Sequence, residues 1–177
     1  TVNIIGNLKI PIEIHHDLAD GVTVNNHIEK NPVEQYKRMI AGDDCIEKEI
    51  ADIIQFLGIN PYTKKIVVQA NHNDRFDRWI NSQDWKKDLK NALPYLKYTT
   101  AVLEGKAEKG VLAYLIENQF TKDEVFCLDY DDSYMIGGYE VAHHGHIGAN
   151  GSRGSVEQFR KMSTKMIIGH SHSPARA

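Results

Sequence analysis

Four short apolar stretches of this chain each end in a cluster of polar residues, and this repeated pattern limits the folds open to the sequence. The apolar stretches are residues 10–14, 65–70, 134–142 and 165–168. The polar clusters that follow them are 15–17, 71–74, 143–146 and 169–172. In α/β and layered β architectures, strand ends are where distant parts of a chain converge on one pocket. We therefore expect an α/β protein with one pocket built from strand ends.

Length and composition favour a single globular domain covering residues 1–177. The hydrophobic fraction is 41% and the charged fraction 25%, so disorder and a fibrous architecture are both excluded. No apolar run approaches the roughly 20 residues that cross a bilayer, and no signal pattern opens the sequence. We expect a cytoplasmic protein without a membrane partner.

The charged and sulfur-bearing residues narrow the function classes further. Twenty-one basic and 24 acidic side chains give a net charge of −3, so any polyanion must be held by a local site rather than by a global field. Cys45 and Cys127 have no CxxC spacing, which argues against a disulfide scaffold or a thiolate zinc site. Histidine is the abundant donor, with nine residues in the chain.

Apolar spacing predicts the helices between these strands. Three- and four-residue periodicity over 33–58 predicts one or two helices starting near Asn31, with a break at 42–44. A further helix is predicted within 75–98, with a stop near Pro94. Two more are predicted over 106–119 and 155–163. The remaining stretches, 124–130 and 134–142, are predicted to be consecutive strands.

The polar clusters contain the side chains that bind divalent metal ions. Imidazole, carboxylate and amide oxygen together suit manganese, iron, zinc or nickel. For Asn71 and His72, a turn or a helix cap remains an alternative. Arg153 is either a solvated turn residue or a phosphate clamp, and His146 is a candidate for contacting substrate. His16 adjoins Asp17 and is a candidate for orienting a metal ligand, whereas His15 and His27 are interpreted as structural or exposed.

The order of these clusters resembles the calcineurin-like metallophosphoesterases. The matching blocks are HD-x-x-D (Asp17, Asp20), Asn71-His72, His144-Gly145 and the GHSH run at 169–172. Residues 70–79 and 143–155 resemble the phage branch of that family, which includes proteins linked to host DNA breakdown. The resemblance implies a four-layer sandwich of two mixed β-sheets flanked by helices.

The resemblance also implies a role for each matching residue. Asp17 would bridge two divalent ions, with manganese favoured and iron, zinc or nickel possible. The remaining ligands would be Asn71, His144 and His170 in one metal pocket and His172 in the other. His72 would face the scissile phosphate as an acid or charge stabiliser, oriented by Asp20.

Three departures from the family pattern affect these expectations. His16 stands where the family has glycine, and Ala70 and Asn73 replace the outer residues of the GNHD block. No Asp-x-His triplet occurs in the chain, although the family's first block has that form. We therefore expect the domain to be truncated at its N-terminus, with the missing block upstream of Thr1 and one metal pocket incomplete.

The expected function is metal-dependent hydrolysis of phosphate esters by a dinuclear site. Phosphodiesters of DNA are the favoured substrate through the phage-like stretches, and nucleotides and phosphoproteins remain open. If the protein is phage-encoded, it would act in the host cytoplasm. The alternative is a catalytically inactive metal-binding or structural module that retains the fold, and the absent Asp-x-His triplet favours it.

Overall fold

A parallel three-stranded sheet organises the chain, which a computed structural model describes over residues 10–21, 23–24, 31–148 and 151–171. The strands are β1 (Ile12–His15), β2 (Lys64–Val68) and β3 (Val125–Leu128), with β2 in the centre. Both neighbouring pairs are parallel. The predicted α/β class is confirmed by this sheet and the helices between its strands.

Six α-helices lie in the described part of the chain. They are α1 (Pro32–Ala41), α2 (Ile46–Gly58), α3 (Arg75–Ser82), α4 (Ala92–Leu103), α5 (Val111–Glu117) and the single turn α6 (Val156–Phe159). As predicted, α1 begins after Asn31, whose side-chain oxygen accepts a hydrogen bond from the Glu34 N–H at 3.2 Å. None of these helices has both the length and the apolar composition required to cross a bilayer.

The two faces of the sheet are covered by different parts of the chain. Val67, Val125 and Cys127 point into the larger core, where they meet the apolar sides of α2, α3 and α5. Ile66, Val68 and Leu128, which alternate with them along the strands, pack instead with Ala142. Burial on both faces explains why the sequence of β2 is a nearly continuous apolar run.

Part of the predicted secondary structure is wrong in ways that affect the site. Residues 134–142 form the hairpin β4 (Met135–Ile136) and β5 (Tyr139–Glu140) rather than one strand. Gly137 and Gly138 both have positive φ, at 57° and 84°, as a tight two-residue hairpin turn requires. Apart from the parallel sheet, this hairpin is the only sheet within the described residues. The two mixed sheets expected for the sandwich are therefore not both present in this part of the chain.

Two further expectations are corrected by the structure. Pro94 does not end a helix; it lies in the first turn of α4, where its missing N–H leaves no intrahelical bond unmade. Residues 165–168 form no strand and contribute only an isolated parallel bridge from Met166 to Glu140.

Glu140 joins the hairpin to the segment that leads to His170. Its carboxylate is buried and accepts hydrogen bonds from the Tyr134 N–H at 2.9 Å, the Ala142 N–H at 2.8 Å and the Ser133 hydroxyl. Burial opposes ionisation of Glu140, but these bonds keep its pKa below the ordinary value. Its main chain bonds to residues 165 and 167, so one residue aligns both segments.

Replacing Glu140 by alanine is expected to lower the free energy of unfolding by roughly 1.5–3 kcal/mol, because two buried N–H groups lose a charged acceptor. Urea denaturation followed by circular dichroism measures this change. The matched control is Glu157→Ala, whose side chain is exposed in a surface ion pair with Arg160, and should cost under about 0.5 kcal/mol. Equal losses in the two variants would contradict the role given to Glu140.

Candidate metal centre

Asp17, His144 and His170 come together from three distant parts of the chain. The Nε2 atom of His144 lies 3.1 Å from Oδ2 of Asp17 and 3.2 Å from Nδ1 of His170. One donor atom from each of the three residues lies within 4.8 Å of the other two. Three such donors in one small volume can hold a divalent ion.

Asn71 adds a fourth donor to the same point. Its side-chain oxygen lies 3.1 Å from Nε2 of His144, so that one nitrogen has three donor atoms at hydrogen-bonding distance. A ring nitrogen carries either one proton or one lone pair, so it cannot satisfy all three neighbours. The excess of lone pairs around Nε2 of His144 is the arrangement that a cation would stabilise.

Buried polar atoms around this cluster are left without hydrogen-bond partners among the described residues. They are Oδ1 of Asp17, both ring nitrogens of His16, Nδ1 of His144 and Nδ1 of His146. Leaving a buried polar atom unsatisfied costs about 1–3 kcal/mol. Such a concentration of unsatisfied donors and acceptors fits a site that binds a cation together with an anionic ligand.

Asp17 is held in a strained conformation at the end of β1. Its φ of 49° lies in the left-handed region, where non-glycine residues are uncommon. Burial opposes ionisation of its carboxyl group, but hydrogen bonds from His144 and from the main chain of His72 keep its pKa below the ordinary value. The carboxylate is therefore charged at neutral pH and available to a cation.

Asn73 ties the loop after β1 to the end of β2. Its buried side chain accepts a hydrogen bond from the Ala19 N–H at 3.3 Å and donates one to the Val68 carbonyl at 3.2 Å. It thereby fixes the loop of Asp17 against the turn that carries Asn71. Sequence reasoning noted Asn73 only as a departure from the family motif and missed this positioning role.

The main chain of His144 positions the turn that carries His170. Its carbonyl oxygen accepts hydrogen bonds from the N–H groups of Gly169 and His170, both at 3.0 Å. Gly169 packs directly on His16, since a Cβ atom at position 169 would lie 2.3 Å from the Cβ of His16. Only glycine allows this turn to approach so closely.

The end of β3 contributes Tyr130, which sequence reasoning did not select. Its hydroxyl donates to Oδ2 of Asp74 at 2.6 Å, while Gln69 donates to the other oxygen of Asp74 at 2.8 Å. The Tyr130 ring contacts the His146 ring, with centroids 5.1 Å apart. The sequence feature that could have identified Tyr130 is its position directly after the third strand of a parallel sheet, at the same edge as Asp17 and Asn71.

His146 completes a group of imidazole rings around the donor cluster. Its ring centroid lies 5.5 Å from that of His144 and 6.0 Å from that of His170. Burial and the neighbouring His144 lower the pKa of His146. The same two causes lower the pKa of His16 to about 4, so both rings are neutral near pH 7 and can act as ligands or hydrogen-bond partners.

The other predicted site residues are placed less centrally. His72 is half-buried in the turn after β2, beside Asp17. Asp20 is exposed and lines a separate cavity of about 320 Å³. No hydrogen bond joins Asp20 to His72 in the part of the chain that is described, so the structure does not support the orienting role expected of Asp20.

Arg153 and His172 remain the least defined of the predicted residues. Arg153 is exposed and faces Ile147 across an isolated antiparallel bridge that closes the loop after His146. Arg153 is therefore close in sequence to the residues of the cluster. Its exposed position is compatible with both a turn residue and a phosphate clamp. His172 lies outside the described residues.

Manganese is expected to bind the Asp17–Asn71–His144–His170 cluster and to raise the melting temperature of the protein. An ion at 100 times its dissociation constant stabilises a folded protein by about 2.7 kcal/mol. His170→Ala should abolish the shift, because it removes one of the converging donors. Thermal denaturation with and without Mn²⁺ checks this, with His143→Ala as the control that removes a neighbouring imidazole. A full manganese-dependent shift in His170→Ala would exclude this residue as a ligand.

One curated protein offers a comparison along nearly the whole chain. Protein A1 of Escherichia phage T5 is 30% identical over 182 aligned residues, which cover 98% of this chain and 33% of that protein. The chain therefore spans about a third of the length of the curated relative that it matches. No protein-family model and no solved structure matches the chain. The similarity to a phage protein agrees with the phage part of the sequence-based expectation.

Proposed function

We propose that this chain is the metal-binding domain of a metal-dependent phosphoesterase with a dinuclear site. The observation that carries the proposal is the convergence of Asp17, Asn71, His144 and His170 from four separate segments, with unsatisfied buried donor atoms around them. The same residues stand in the order of the calcineurin-like motifs, so the proposed fold is the calcineurin-like sandwich.

The donor set indicates which residues hold metal. His144, His170 and Asn71 surround one position together with Oδ2 of Asp17, while Oδ1 of Asp17 is buried and has no hydrogen-bond partner among the described residues. A carboxylate with one oxygen in the cluster and one oxygen free suits a bridging ligand. When bound, two divalent ions supply an activated water and neutralise phosphate oxygens.

His72 is the proposed proton donor to the leaving oxygen. Its main chain helps to lower the pKa of the Asp17 carboxyl group, which places this residue beside the donor cluster. An imidazole can release a proton to a leaving oxygen during the reaction and regain it afterwards. His146, held by the Tyr130 ring, has an unpartnered Nδ1 that can contact a phosphate oxygen.

The favoured substrate is a phosphodiester of DNA. The support is the resemblance of residues 70–79 and 143–155 to phage enzymes, together with the 30% identity to a phage protein. Arg153, exposed beside the cluster-bearing loop, is the proposed contact to a further phosphate. A protein of this kind encoded by a phage would act in the host cytoplasm.

The proposal is tested by incubating the purified protein with Mn²⁺ and three substrates: bis-p-nitrophenyl phosphate, single-stranded DNA and duplex DNA. We expect metal-dependent hydrolysis of at least one of them and its loss on addition of a chelator. The control is His170→Ala under the same conditions. Tight metal binding without hydrolysis of any of the three would instead favour the inactive metal-binding module.

His72→Ala is expected to lower turnover by about 10²- to 10⁴-fold, the usual contribution of general acid catalysis. Its metal content should stay near that of the unmodified protein, because the proposed role of His72 is proton transfer. His170→Ala should lower both turnover and metal content. Metal analysis after gel filtration, combined with steady-state kinetics, separates the two roles, and equal metal loss in both variants would make His72 a ligand.

A further inference from the structure

His16 is a half-buried histidine whose ring nitrogens make no hydrogen bond within the described residues. It follows β1 and precedes Asp17 in the chain. Neither Nδ1 nor Nε2 of its ring has a hydrogen-bond partner, and both atoms are inaccessible to solvent. A neutral imidazole carries one donor and one acceptor, so this ring leaves both groups unsatisfied.

The His16 ring lies against the donor cluster rather than in the apolar core. Its centroid is 5.8 Å from that of His144, with the two ring planes inclined by 32°. On another side it meets the main chain of Gly169, which immediately precedes His170. The ring therefore lies among three of the four segments that build the cluster.

The neighbouring His15 shows how a structural histidine differs from His16. Its Nε2 also makes no hydrogen bond of normal geometry among the described residues, but it has the Glu13 carboxylate 3.3 Å away, and its ring packs edge-on against Phe56. A histidine that orients a metal ligand would be expected to hydrogen-bond to that ligand. Among the described residues His16 has no carboxylate at ion-pair distance and no hydrogen bond to a metal ligand, so the burial of both its ring nitrogens beside Asp17 and His144 needs another explanation.

We propose that His16 is a ligand for the second divalent ion of the cluster, acting together with Oδ1 of Asp17. This inference rests on the proposed function and goes beyond it, because it assigns a ligand that the family motifs do not contain. Imidazole nitrogen and carboxylate oxygen are suited to Mn²⁺, Fe²⁺ or Zn²⁺. With two protein ligands among the described residues and its remaining positions filled by water or phosphate, this ion should bind more weakly than the first.

The test counts bound manganese by isothermal titration calorimetry and low-temperature electron paramagnetic resonance. We expect two ions in the unmodified protein, the second weaker, with a spectrum of magnetically coupled Mn²⁺. In His16→Phe, which keeps a ring against Gly169 but removes both nitrogens, we expect one tight ion, an uncoupled spectrum and a second ion weakened at least about 10-fold. His143→Ala is the control and should keep both ions and the coupled spectrum.

Each outcome separates this inference from the proposed function. Two ions of unchanged affinity in His16→Phe would overturn the role of His16, and so would a single ion in the unmodified protein. Hydrolysis of phosphodiesters by the unmodified protein would leave the proposed function standing in the first case. In the second case it would leave metal-dependent hydrolysis standing but not the dinuclear site. Circular dichroism and the metal-free melting temperature of His16→Phe show that the variant is folded, so a lost ion reports ligation.

Discussion

The imidazole of His144 is the group on which the rest of the site depends. Its Nε2 faces donor atoms of Asp17, Asn71 and His170 at 3.1–3.2 Å, while its carbonyl oxygen accepts the N–H groups of residues 169 and 170. The residue is 2% exposed, so water cannot compensate for this crowding of lone pairs. A cation bound at this point would remove the conflict, which is why we propose a metal site here.

The parallel sheet brings most of these groups to one edge. β1, β2 and β3 all point the same way, so the residues after them, including Asp17, Asn71 and Tyr130, gather at the same edge. Side chains outside the cluster then hold the loops in place. Asn73 joins the loop after β1 to the end of β2, and Glu140 aligns the hairpin with the segment before His170. Because these supports are buried and hydrogen-bonded, the donor cluster can be held together against the mutual repulsion of its lone pairs.

The sequence predicted the α/β class, the helices α1 and α2, and the convergence of Asp17, Asn71, His144 and His170, because these follow from apolar periodicity and from polar residues at strand ends. It did not predict that 134–142 turns back at Gly137 and Gly138, although a Gly-Gly pair between two short apolar runs is itself a hairpin signal. The roles of Asn73, Tyr130 and Glu140 were missed because each depends on hydrogen bonds between residues far apart in the chain. Asp20 was selected by motif alone, and the structure places it in the wall of another cavity.

The central claim is that divalent metal binds where the side chains of Asp17, Asn71, His144 and His170 meet. Anomalous X-ray diffraction from crystals grown with Mn²⁺, recorded on both sides of the manganese absorption edge, tests it most directly. The account predicts an anomalous peak in contact with Nε2 of His144 and a side-chain oxygen of Asp17, with a second, weaker peak beside His16. Strong manganese peaks elsewhere on the protein, with none at His144, would contradict it.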